Sequence, residues 1–337
     1  MNLQRMLAVL VVAPFVGFAA TLPRVIQTNS AGDNVHVIDP ATNKVVGVIQ
    51  GIEAPHGVVI APDGNRLYVT EEPTRTLDVV DAKSLKVTKK IKLSGRPNNL
   101  AVTNDGRSVY VGIAQPPGAV DVIDTISLTK VKSIPVNGAI HNVYVTPDGK
   151  YAVAGSIPTS VMSVIDTATN TLAWSVKLAG GIRPMAFTKN PDGSTKEIVT
   201  QLSDFHGFVL VDFQTHREIK RVTLPSVPGQ EKVTDGVQGA PSHGLAITPD
   251  GKVLWATSKW YDYVAAYSLP DLKLLKVVRV GLHPEWLTIP PDGKNLYVAV
   301  AGKDATVVID NKTMQVVAEI PVGYVPKRNA SGLLETE

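Results

Sequence analysis

Three of the seven histidines in this 337-residue chain sit in comparable settings. His56, His141 and His243 each open a short apolar stretch, at His56-Gly57-Val58-Val59-Ile60, His141-Asn142-Val143 and His243-Gly244-Leu245-Ala246-Ile247. Neutral imidazoles that converge with one position left open bind Zn, Fe, Cu or Mn, and a single neutral imidazole can serve as a general base. Glu285 adds a carboxylate able to share an ion or move a proton. Arg183, Lys327 and Arg328 add cations that hold a carboxylate or phosphate, or steady a developing oxyanion. The candidate catalytic set is therefore His141, His243 and Glu285, and the candidate metal set is His56, His141 and His243, for a divalent ion of unspecified identity. Whether these residues meet depends on the elements that carry them.

Those elements repeat. Asp-Gly pairs fall at Asp63-Gly64, Asp105-Gly106, Asp148-Gly149, Asp192-Gly193, Asp250-Gly251 and Asp292-Gly293, in steps of 42, 43, 44, 58 and 42 residues. Each pair joins two apolar strands, and a third strand ending in an acid usually follows. A strand-turn-strand period near 42 is the signature of a β-propeller blade, which buries its faces only against its neighbours. Seven third strands are present but only six first strands precede an Asp-Gly turn. The segment from Gly323 to Leu334 supplies the seventh, so the two ends of the chain share a blade and leave no open sheet edge. The expected fold class is all-β: a seven-bladed β-propeller of four-stranded antiparallel blades, forming one domain over residues 20–337. The 58-residue step places an insertion, a possible lid, at about residues 225–240.

Aligning the first strands on their turns gives one residue per blade at the mouth of the central channel: His56, Asn98, His141, Arg183, His243, Glu285 and Lys327. All seven are polar. Their next neighbours include Asn142, Trp286 and Arg328. Loops on the same face diverge, among them Ser203-Asp204-Phe205-His206-Gly207 and Lys259-Trp260-Tyr261-Asp262, and divergent loops on a rigid scaffold are where binding concentrates. The candidate ligand-binding set is accordingly Asn98, Asn142, Arg183, His206, Trp260, Tyr261, Trp286, Lys327 and Arg328. The turns of the other face are short and alike, and Asp39, Asp81, Asp124, Asp166, Asp212 and Asp310 read as carboxylates that accept backbone N–H groups there. His36 and His216 read as structural or exposed.

Tyr68-Val69-Thr70-Glu71, Tyr110-Val111-Gly112-Ile113 and Tyr297-Val298-Ala299-Val300, with Val122-Ile123-Asp124-Thr125 and Val164-Ile165-Asp166-Thr167, carry a family likeness. From about residue 24 to 334 the chain resembles the YVTN family of seven-bladed propellers. The resemblance implies the fold, and spans enzymes, redox-enzyme subunits and surface-layer proteins. In that family a Pro-His-Gly at a strand start is common, which offers a structural role for His56. His243 and Glu285 are also similar to residues of virginiamycin B lyases, propellers that hold a divalent cation; His283 stands out of that order. No Gly-rich phosphate loop, nucleophile elbow or Cys-x-x-Cys-His haem attachment motif occurs, so neither nucleotide nor haem is signalled by a motif.

Residues 1–19 carry one Arg and an apolar run ending in Gly17-Phe18-Ala19, the pattern of a cleaved signal peptide, too short for a comfortable membrane anchor. The expected location is periplasmic or secreted. Without cysteine, stability must come from blade packing rather than disulfides. A formal charge of +3 is too small to argue for nucleic acid or anionic lipid. The expectation is a monomer that binds a small polar or anionic molecule at the channel mouth, with metal-assisted lyase or hydrolase chemistry, lactone opening included, as its catalytic form. The alternative is a non-catalytic scaffold for a partner protein or polymer.

Overall fold

The computed structural model describes residues 21–234 and 240–336. The expected signal segment and the part of the insertion at 235–239 lie outside the described residues. Seven four-stranded antiparallel sheets follow one another around an axis. Blade 1 has the order β28-β1-β2-β3, where β1 is Thr21–Asn29, β2 Asn34–Asp39, β3 Lys44–Gln50 and β28 Pro326–Glu335. The expected closure is thus observed: β28 pairs with β1 from Thr21↔Glu335 to Asn29↔Pro326. Blades 2 to 7 each take their four strands in chain order, starting from the inner strands β4 (Pro55–Ile60), β8 (Pro97–Val102), β12 (Ile140–Val145), β16 (Ile182–Lys189), β20 (Leu245–Ile247) and β24 (Pro284–Thr288).

The alternation of the sequence explains the layering. Second and third strands are buried almost throughout, because both faces of each sheet press on neighbouring blades, whereas outer strands such as β3 alternate exposed and covered residues. Core clusters lie between blades; one joins Leu77 and Val79 of blade 2 to Leu100, Val109 and Val111 of blade 3. Burying that apolar surface replaces the absent disulfides as the source of stability.

All six Asp-Gly turns place glycine at positive φ, between +68° and +86°, a conformation that costs L-residues with a side chain about 1 kcal/mol or more. The blade-end carboxylates behave as expected: Asp124 Oδ1 accepts Ser127 N at 2.7 Å, and Asp166 Oδ1 accepts Thr169 N at 2.8 Å. Among the described residues no helix is long and apolar enough to cross a membrane.

Candidate functional site at the channel mouth

The inner strands all begin on one face, and the expected ring is formed by the second residue of six of them and by His243, two residues before β20. His56, Asn98, His141, Arg183, His243, Glu285 and Lys327 are each less than a tenth exposed, and His243 and Glu285 are wholly buried. Threonines near the ends of the second strands hold the backbone of this ring. Thr70 Oγ1 accepts Gly57 N at 2.7 Å and donates to the Asn98 carbonyl at 2.7 Å, tying blade 2 to blade 3. Thr28 does the same between Arg328 and His56, and Thr257 Oγ1 accepts His243 N. Gly57 is required by this close approach, since a Cβ there would meet the Asn98 carbonyl oxygen at 2.9 Å. A cavity of about 540 Å³ opens at the mouth, lined by His56, Asn98, His141, Arg183 and Lys327 of the ring, with Glu72 beside them.

Glu285 is the electrostatic centre. Its Oε1 accepts Lys259 Nζ at 2.7 Å, its Oε2 lies 3.3 Å from Lys327 Nζ, and His243 Nδ1 faces Oε2 at 3.0 Å and the Glu285 carbonyl at 3.3 Å. The carbonyl is the better-aligned acceptor for the ring N–H, and the Oε2 contacts are chiefly electrostatic. Burial pushes the Glu285 carboxyl upward, but Lys327, His243 and Lys259 together hold it well below the usual carboxylate range. Arg328 lies beneath the ring with its guanidinium 4.0 Å from the centre of the Trp286 ring, and it donates to Asn142 Oδ1 at 2.9 Å and Asn98 Oδ1 at 2.6 Å. Trp286 in turn stacks on Tyr144. His56 Nδ1 meets Glu72 Oε1 at 2.8 Å, and Arg183 Nε donates to Ser203 Oγ at 2.9 Å.

The histidines are neutral. Burial pulls His56 down to about 4 despite its Glu72 partner. His141 and His243 fall well below 6.5, again through burial first, with Arg328 adding to the effect at His141. The remaining charges do not balance: Arg96, Arg183, Lys259, Lys327 and Arg328 give +5 and Glu285 and Glu72 give −2, a local +3 among the described residues. Six polar atoms of this cluster are also left buried without a hydrogen-bond partner: Nε2 of His56, of His141 and of His243, Glu285 Oε2, Lys327 Nζ and Arg328 Nε. Buried polar atoms are almost always satisfied, so this concentration needs an explanation.

The structure thus gathers His56, Asn98, His141, Arg183, His243, Glu285, Lys327, Asn142, Trp286 and Arg328. Three expected ligand residues are elsewhere. His206 lies in the strand β18 (Phe205–Asp212), not in a loop, with Nε2 2.8 Å from Ser258 Oγ. Trp260 and Tyr261 pack around it in the core between blades 5 and 6, so none of the three lines the mouth cavity. The described part of the insertion also docks there, with Val233 N donating to the Trp260 carbonyl and Lys232 Nζ over the indole. The structure leaves the expected metal set of His56, His141 and His243 unconfirmed. Among the described residues no three His, Cys, Asp or Glu side chains are placed to hold an ion, and Asn142 presents its amide nitrogen to His141 Nδ1 at 2.8 Å, where a metal-ligating imidazole needs an acceptor. His283, partly exposed, stays outside the cluster.

Two functional side chains escape the ring alignment. Glu72 and Lys259 each follow the last residue of a second strand, as do Ser30 and Ser203. That position forms a second ring beside the first, and aligning second-strand ends would have exposed it.

Comparison with known proteins places this site in context. Residues 24–206, more than half of the chain, match the family described as Cytochrome D1 heme domain. The chain belongs to that family. The match includes His56, His141 and Arg183 and stops before His243, Glu285 and Lys327. Uncharacterized protein YncE of Salmonella typhimurium is 32% identical over 92 residues, 27% of this chain and 26% of that protein, so the match spans about a quarter of either. These matches agree with the YVTN-type repeat. Among solved structures, Kuenenia stuttgartiensis hydrazine synthase has a TM-score of 0.73 at 24% identity over 85% of this chain and 92% of its own. The periplasmic gluconolactonase PpgL of Pseudomonas aeruginosa has 0.73 at 20% over 93% and 99%. The dihydro-heme d1 dehydrogenase NirN has 0.68 at 19% over 94% and 77%. At these identities the likeness concerns the fold.

Proposed function

We propose that the protein binds a small anionic ligand at the mouth of its propeller. The observation that supports this reading is a local +3 charge around the mouth cavity, which is lined by Lys327, whose carboxylate neighbour Glu285 is shared with Lys259, and by His141 with its buried, unpartnered Nε2. Isolated buried charge is costly, and an anion with several acceptor oxygens relieves both the charge and the unused donors. A thermal-shift series of simple carboxylates and phosphate against their neutral amide or alcohol analogues tests it. The unfolding midpoint should rise with the anions and not with the neutral compounds; no shift with any anion contradicts the reading. The N-terminal pattern and the periplasmic location named for PpgL support export to the periplasm.

Family membership favours one larger ligand of this class, a carboxylated tetrapyrrole such as haem. The donor set fits in kind: His56 Nε2 is unpartnered with its Nδ1 held by Glu72, the arrangement of a metal-ligating imidazole, and His56 would hold the iron while Arg183 and Lys327 would take carboxylates. Bound iron would supply redox or ligand-binding chemistry. Titration with hemin, followed by its absorbance in the parent and in His56→Ala, tests this ligand. The catalytic form of the proposal is lactone opening, in which neutral His56 activates water and Lys327 steadies the oxyanion; proton release from simple lactones, abolished by Lys327→Met, checks it.

A further inference from the structure

The hydrogen bonds behind the mouth fix which ring nitrogen of each cavity histidine carries its proton. A guanidinium only donates, so the Asn142 atom 2.9 Å from Arg328 is Oδ1. Asn142 therefore offers Nδ2–H to His141 Nδ1 at 2.8 Å, that nitrogen accepts, and His141 carries its proton on Nε2. His56 is set the other way. Its Nδ1 faces a carboxylate oxygen of Glu72 at 2.8 Å, an acceptor, so the proton sits on Nδ1 and Nε2 keeps its lone pair. His141 Nε2–H and His56 Nε2 are both unpartnered, and both rings line the same 540 Å³ cavity with Lys327.

The cavity thus offers donors from His141 and Lys327 and a buried acceptor from His56. A plain carboxylate satisfies the donors but leaves the His56 lone pair without a proton to accept. An aminium group would supply that proton but meets the local excess of positive charge. A hydroxyl supplies it at no electrostatic cost. We infer that the mouth selects hydroxycarboxylates: the carboxylate binds Lys327 and His141 Nε2–H, a hydroxyl donates to His56 Nε2, and Asn142, Arg328 and Glu72 act as positioning residues that set the two imidazoles. This rests on the anion-binding reading above and narrows its substrate class. The product of lactone opening belongs to that class.

D-gluconate and hexanoate share a six-carbon carboxylate and differ in hydroxyls, which makes them the probe pair for calorimetric titration. The parent should prefer gluconate by about ten- to hundredfold, the range expected when a buried acceptor is left unpaired, and His56→Phe should reduce the preference to near unity. Equal binding of the two probes, or phosphate binding without gluconate binding, overturns the inference while leaving the anion site standing. Failure of every anion to bind removes both. Nitrogen-15 NMR of the parent tests the positioning without any ligand and without relying on the variant's folding. It should show His141 protonated on Nε2 and His56 on Nδ1, with Asn142→Asp moving the His141 proton to Nδ1. The opposite tautomer at either histidine in the parent overturns the inference.

Discussion

The two ends of the propeller are built from the same repeat yet treat polar atoms in opposite ways. At the turn end, carboxylates such as Asp81, Asp166 and Asp212 are partly exposed to water and each still accepts a backbone N–H and a hydroxyl within its own turn. At the mouth, wholly buried groups are left with unused donors and acceptors. Turn carboxylates explain themselves through the backbone they hold. The mouth groups cost free energy that the fold alone does not return, which is the mark of a site kept for a ligand.

Acid should separate the two ends most strongly. His56, His141 and His243 have folded values below the ordinary 6.5, so the unfolded chain takes up their protons first. Stability is full above pH 6.5 and falls as pH drops through the window down to about 4, where His56 itself protonates. Each histidine contributes a slope of about 1.4 kcal/mol per pH unit. Asp78, raised to about 6 by burial, keeps its proton in the fold and offsets part of the slope below that pH. Urea denaturation at pH 7.5, 6 and 5 measures the sum, and a pH-independent midpoint would remove the neutral-imidazole account.

Glu285→Leu should cost about 3–5 kcal/mol, the usual loss when one partner of a buried ion pair is removed, because Lys259 and Lys327 remain buried without their shared carboxylate. Chemical denaturation at pH 7.5 checks it. A loss below about 1 kcal/mol would mean that the lysines reach water on their own. Gly251→Ala at the turn end should cost only about 1 kcal/mol, since no atom lies within 4 Å of the added methyl and the positive φ alone opposes it. A comparable loss at the two positions would erase the distinction between the ends.

Ring closure was legible in the sequence because third strands outnumber first strands by one, and strand pairing between β1 and β28 confirms that count. The mouth was legible because Asp-Gly turns fix the register of the inner strands, so a residue at a constant offset from each turn faces the axis. Other parts were hidden for physical reasons. Gly207 makes Ser203–Gly207 look like a loop, yet it is a strand glycine: a Cβ there would lie 2.1 Å from the Val222 carbonyl oxygen of the adjacent outer strand. That misreading puts His206 outside its strand, and the aromatic residues Trp260 and Tyr261 beside it belong to the inter-blade core. Lys259 and Glu72 follow strand ends, where a charged residue ordinarily faces solvent, and only the packing of neighbouring blades turns them inward.

The most direct test of the central claim compares one substitution at each end of the molecule. Affinity for the best-binding anion of the thermal-shift series should be measured by calorimetry in the parent, in Lys327→Met and in Asp250→Asn. The account predicts at least about a tenfold loss in Lys327→Met, as expected for a charge-assisted hydrogen bond, and parent-like affinity in Asp250→Asn. Unchanged affinity in Lys327→Met, or an equal loss in Asp250→Asn, would contradict an anion site at the mouth.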